Sequence, residues 1–156
     1  MTYSEHSQHA EFSGCVVVVD DNVGLRQMLA LALETAGFDV IEAGDEIELQ
    51  RHLARSQPDA VLIDLQRSEA EGLQLLTRMR ARQTLCNVPI LFLAGSDADD
   101  FRHQAMRAGA DWFGLRPLGM LDLQNQVAEL IRNGRPTIER TPRQKRQHLV
   151  PLKRTG

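Results

Sequence analysis

Cysteine, lysine and aromatic side chains are scarce in this 156-residue chain, and each shortage narrows the reading. The two cysteines, Cys15 and Cys86, are too few for a disulfide framework and read as small core residues. Aromatics make up 4% of the chain, and residues 133–156 contain none that would stack a base. The longest apolar run is the six residues Met28 to Leu33, against about 20 for a membrane-spanning helix. The first fourteen residues hold no basic cluster leading into an apolar stretch, so no cleavable leader is expected. GxGxxG, GxxxxGK and CxxC are all missing, which leaves dinucleotide, P-loop and zinc readings without support. A single reduced, cytoplasmic domain is the expectation.

Charge is unevenly placed. Residues 1–131 carry ten arginines, no lysine and twenty acids, a net of −10. The last 25 residues carry eight basic groups against Glu139, a net of +7, and hold both lysines, Lys145 and Lys153. With three prolines and few apolar residues, 133–156 reads as a solvated, disordered basic tail. Electrostatic contact with nucleic acid or an anionic membrane is the alternative for it. Residues 1–14 read as a disordered N-terminal arm, which leaves 15–132 for the domain.

Within that body, short apolar runs alternate with helical periods. Cys15-Val-Val-Val-Val19 is apolar on both faces, as a central parallel strand must be, and ends in Asp20-Asp21-Asn22. Leu25, Met28, Leu29, Ala32 and Ala36 follow at helical spacing, capped by Asn22 or Asp21 and stopped at Gly37. Strands are predicted at 38–43, 60–64, 89–93 and 112–115. Between and after them, helices are predicted over 45–55, from near Gly72, after a cap at Ser96 or Asp97, and around Leu123, Val127, Leu130 and Ile131. Five strands alternating with five helices imply a doubly wound α/β domain around a parallel sheet.

In such a sheet, ligands bind beyond the carboxyl ends of the strands. Asp20 and Asp21 leave the first strand there and Asp64 leaves the third. Taken singly, each acid would cap a helix or open a loop. If the strands are neighbours, three carboxylates converge, and a divalent cation such as Mg²⁺ relieves their repulsion.

The ordered set of motifs resembles the receiver domain of bacterial two-component response regulators. It comprises Val-Val-Val-Asp20-Asp21-Asn22, Val61-Leu-Ile-Asp64 with Gly72 eight residues on, Pro89-Ile-Leu-Phe-Leu-Ala94-Gly95, and Ala108-Gly109-Ala110-Asp111 leading into Arg116-Pro117. The resemblance implies a flavodoxin-like sheet of order 2-1-3-4-5 with helices on both faces. It makes Asp64 the phosphoacceptor for a histidine kinase or phosphotransfer protein. It assigns Mg²⁺ to Asp20, Asp21, Asp64 and the backbone carbonyl of Gln66. Phe113 matches the family's rotating aromatic.

Two positions depart from the pattern. Ala94 stands where the family has a Thr or Ser hydroxyl, and Arg116 stands where it has a lysine, exchanging a point ammonium for a planar fork. Ser68 replaces a common proline, and Arg67 beside it is a second candidate phosphate partner. The resemblance therefore implies an atypical, stand-alone receiver in a phosphorelay, acting through a downstream partner protein, with homodimerisation open. A phosphorylation-independent pseudo-receiver that serves as a binding module is the alternative. A phosphatase would need a DxD arrangement, but Asp20 and Asp21 are adjacent, and a DNA-reading domain does not fit in 25 residues. No enzymatic activity is expected.

Overall fold

The structure is a computed structural model that describes residues 12–66, 68–95 and 99–135. Its strands are β1 (Cys15–Asp20), β2 (Asp39–Ala43), β3 (Ala60–Asp64), β4 (Ile90–Ala94) and β5 (Trp112–Leu115). Its helices are α1 (Val23–Thr35), α2 (Glu46–Leu53), α3 (Glu69–Ala81), α4 (Asp99–Ala108) and α5 (Met120–Asn133). The five strands form one parallel sheet in the order β2-β1-β3-β4-β5. This is the doubly wound topology that the alternation predicts, in the flavodoxin-like order that the resemblance implies.

Side-chain alternation along the strands divides the core in two. Val17, Val19, Ile63 and Phe92 face Leu49, Leu76, Met79 and Ala105 from α2, α3 and α4. Val16, Val18, Leu62 and Leu91 face Leu33 of α1 and Val127 of α5. Strands covered on both faces have no polar side, which is why β1, β3 and β4 read as unbroken apolar runs. Trp112 packs with the α5 side of the core.

Local chemistry fixes the helix starts. Asn22 Oδ1 accepts from Leu25 N at 3.0 Å, Asp45 Oδ1 from Glu48 N at 2.8 Å, and Ser68 Oγ from Glu71 N at 3.2 Å. The Ser68 cap starts α3 at Glu69, three residues ahead of the predicted Gly72. Gly72 instead lies inside α3, where a Cβ would meet Phe92 Cζ at 2.8 Å. β4 runs one residue later than predicted, with Pro89 outside it and Ala94 its last member. β2 and α2 are shorter than predicted, excluding Phe38 and residues 54–55. The predicted cap at Ser96 or Asp97 lies outside the described residues.

Described structure begins inside the predicted arm and continues past the predicted tail boundary. Phe12 stacks on Phe38 with ring centroids 5.6 Å apart. α5 includes Asn133, and beyond it Arg135 pairs with Asp111 Oδ1 at 3.0 Å and donates to the Cys86 carbonyl. Arg80 reaches the same carboxylate at 2.7 Å and donates to the carbonyls of Leu85, Val88 and Gly109. Gly109 has φ +113°, and a Cβ there would strike Arg80 Cγ at 2.5 Å, so only glycine lets the guanidinium lie across this turn. The two cysteines are half-buried rather than core residues, at the start of β1 and after the short 3₁₀ turn 83–85.

Candidate functional site

The register of β1 against β3 places Asp20 opposite Asp64, so both carboxylates leave the sheet side by side. Both are buried, Asp20 completely. Asp20 Oδ1 accepts from Asn22 N at 2.9 Å, whereas its Oδ2 is buried with no hydrogen-bond partner. Burial pushes the Asp20 carboxyl up to about 7, opposed by the Asn22 N–H and reinforced by the charges of Asp64 and Asp21. Burial also raises Asp64, to about 6, against the pull of the Arg116 guanidinium. Asp21 turns toward the loop after β3, where its Oδ1 accepts from Gln66 N at 2.9 Å.

Arg116, just past β5, reaches across to donate from Nη1 to Asp64 Oδ1. The Gln66 side chain donates to the same oxygen from 3.1 Å. Ala94 is fully buried at the end of β4, paired with Leu115, and offers no hydroxyl to this cleft. Phe113 points inward, stacked on Phe92 at 6.2 Å and edge-on to Phe101 at 6.0 Å, with the Arg102 guanidinium 5.2 Å from its ring centre. Arg67, the second candidate phosphate partner, lies outside the described residues.

Glu69 is a member of this cleft that sequence reasoning missed. Its Oε1 accepts from Gly95 N at 2.8 Å and lies 3.9 Å from Arg116 Nη2. Gly95 is 26 residues away in sequence, so no local spacing signalled the contact. A Cβ at Gly95 would meet Arg116 Nη2 at 2.8 Å, so the small residue there makes room for the guanidinium.

Among the described residues, no three His, Cys, Asp or Glu side chains form a ready-made metal cage. The donors nevertheless suit a hard cation that keeps some of its water: carboxylate oxygens, one of them buried and unpartnered. Beside Asp64, an apolar groove of about 570 Å³ opens between α1 and α5, lined by Leu25, Met28, Leu29, Leu118, Met120 and Leu123. Among the described residues, no helix is long and apolar enough to cross a membrane.

A buried aspartate at the carboxyl edge of a 2-1-3-4-5 sheet, with a second aspartate beside it and a guanidinium across the cleft, is the arrangement of a receiver-type signalling domain. The response regulator receiver domain matches residues 16–128, and the chain belongs to that family, a signalling module of two-component systems. It is 26% identical over 127 residues to the phosphate regulon transcriptional regulatory protein PhoB of Pseudomonas aeruginosa, covering 81% of this chain and 56% of that protein. The chain thus spans about half the length of the curated relatives it matches. Among solved structures it is similar to a response regulator from Thermotoga maritima, with a TM-score of 0.69, 29% identity and coverage of 78% of this chain and 99% of that one. The receiver domain of the sensor histidine kinase PA1611 from P. aeruginosa shares the fold, with a TM-score of 0.65, 22% identity and coverage of 78% and 99%. That structure carries a magnesium ion in its active-site cleft.

Proposed function

We propose that this receiver is phosphorylated on Asp64 by a histidine kinase or phosphotransfer protein and signals through protein–protein contact in the cytoplasm. The observation that carries the reading is the paired burial of Asp20 and Asp64 with a guanidinium on the acceptor oxygen. In the step proposed, an Asp64 carboxylate oxygen forms the new bond to phosphorus as the bond from phosphorus to the donor breaks. The donor leaves with that electron pair. Such transfer depends on alignment and charge neutralisation more than on proton movement.

Asp20, Asp21, Asp64 and the Gln66 carbonyl would hold Mg²⁺, which when bound offsets the charge of the incoming phosphoryl oxygens. Arg116 acts on the opposite side, orienting Asp64 and offering its fork to the transferred group. Gln66 Nε2 holds the same oxygen and limits its rotation. The apolar shoulder of α1 and α5 supports docking of a helical phosphodonor, since Met28, Leu31 and Leu121 are each more than 60% exposed.

The second reading, a pseudo-receiver that binds partners without phosphate, draws on Ala94, which offers the phosphoryl group no hydroxyl. Affinity for a partner, or for a second copy, measured with and without acetyl phosphate and Mg²⁺ separates the two. Association that strengthens with phosphodonor supports the first reading. Association indifferent to it supports the second.

A further inference from the structure

An anion from the chain itself already holds the Gly95 N–H and sits within ion-pair reach of Arg116, the guanidinium on Asp64. The Gly95 N–H donates to Glu69 Oε1, and the Arg116 guanidinium spans the space between Asp64 and that same oxygen. Glu69 is the first residue of α3, and an acid there is favoured by the helix N-terminus alone. That preference does not account for a carboxylate crossing to the end of β4. Nor does it account for Gly95, where any Cβ would meet Arg116 and approach Glu69 Oε1 to 3.7 Å. A phosphoryl group on Asp64 brings nearly two negative charges and three acceptor oxygens. It needs the N–H that Glu69 holds and the positive charge that Glu69 shares, and it repels that carboxylate.

We propose that Glu69 is a built-in competitor for the phosphoryl group, occupying the Gly95 N–H and sharing the charge of Arg116 until a phosphoryl on Asp64 displaces it. This inference rests on Asp64 being the phosphoacceptor. Glu69 then sets how readily the domain is modified and ties the end of β4 to α3 at rest. Displacement releases that tie, so the change on phosphorylation starts from the Glu69–Gly95 contact.

The test compares wild type with Glu69→Ala, which frees the Gly95 N–H and removes the charge beside Arg116, and Glu69→Gln, which removes the charge but keeps an acceptor. Amide NMR of the unmodified proteins should show the Gly95 resonance displaced and its exchange accelerated in Glu69→Ala, with Glu69→Gln closer to wild type. Initial labelling of Asp64 by acetyl phosphate with Mg²⁺ should be about ten- to a hundredfold faster in Glu69→Ala, the equivalent of one hydrogen bond to a charged group. Glu69→Gln should fall between. An unmoved Gly95 amide, or equal labelling of all three proteins, overturns the competitor. Absence of label from all three contradicts the phosphoacceptor reading itself and removes the competitor with it.

Discussion

Replacing Asp20 with asparagine should stabilise the metal-free protein at pH 8, although it removes a residue from the centre of the site. Asp20 is fully buried, its Oδ2 has no partner, and its folded pKa is raised from 3.8 to about 7. A carboxyl raised on folding favours the folded state while it is protonated. That contribution is complete below about pH 4 and is lost as the pH rises through about 7. Asp64, raised to about 6, adds to the loss over the same window. The full shift of Asp20 would correspond to about 4 kcal/mol, and solvent at the open mouth of the cleft reduces this to about 1–3 kcal/mol. The amide introduced by Asp20→Asn keeps an acceptor for the Asn22 N–H and carries no charge, so the variant should recover that amount. At about 3–5 °C per kcal/mol for a domain of this size, the variant should melt roughly 3–15 °C above wild type at pH 8. The gain should shrink towards zero at pH 4.5. Millimolar Mg²⁺ should raise the wild-type melting temperature at pH 8 and leave Asp20→Asn nearly unmoved. A variant that melts below wild type at pH 8, or a wild-type curve flat between pH 4.5 and 8, would refute the electrostatic account of the cleft.

Three further outcomes follow from the packing and the site. Gly72→Ala should lose about 1–3 kcal/mol in urea titration, because its Cβ would sit 2.8 Å from Phe92 in a stacked aromatic core; unchanged stability would show that α3 shifts freely. Arg80→Ala should cost about 3 kcal/mol or more, since it removes a partner of buried Asp111 and the donor to three carbonyls, whereas Arg78→Ala, whose pair with Glu46 lies at the surface, should leave stability close to wild type; similar losses would contradict the contrast. Ala94→Thr should widen the difference in partner binding or self-association with and without phosphodonor by about tenfold or more, at a packing cost of about 1–3 kcal/mol read by melting. No widening would show that other donors already carry the switch.

The fold was legible because its signals are local. Val16–Val19, Ala60–Ile63 and Ile90–Leu93 are apolar on both faces, and only central parallel strands need that. Asp20 and Asp64 were legible for a related reason, since each is the last residue of such a strand and the sheet register brings them together. The start of α3 was misplaced because Gly72 reads as a boundary, while its true role is to admit Phe92. Arg116 was found by its distance from Asp64 in the family pattern, but its direct contact with the acceptor oxygen depends on a side-chain reach that spacing does not encode. Glu69 was invisible, since its meaning lies in Gly95 and Arg116, which follow strands distant in sequence. Arg135 was likewise assigned to the tail by composition, and only the fold brings Asp111 to it.

Intact-mass spectrometry after incubation with acetyl phosphate and Mg²⁺ tests the central claim most directly, comparing wild type with Asp64→Ala. Asp64 is buried beside an unpartnered carboxylate oxygen and held by a guanidinium, so the proposed nucleophile, a place for a cation and a positive charge lie together. Wild type should gain a single phosphoryl group, and Asp64→Ala should gain none. No phosphoryl group on wild type under any donor, or one that persists in Asp64→Ala, would contradict the claim.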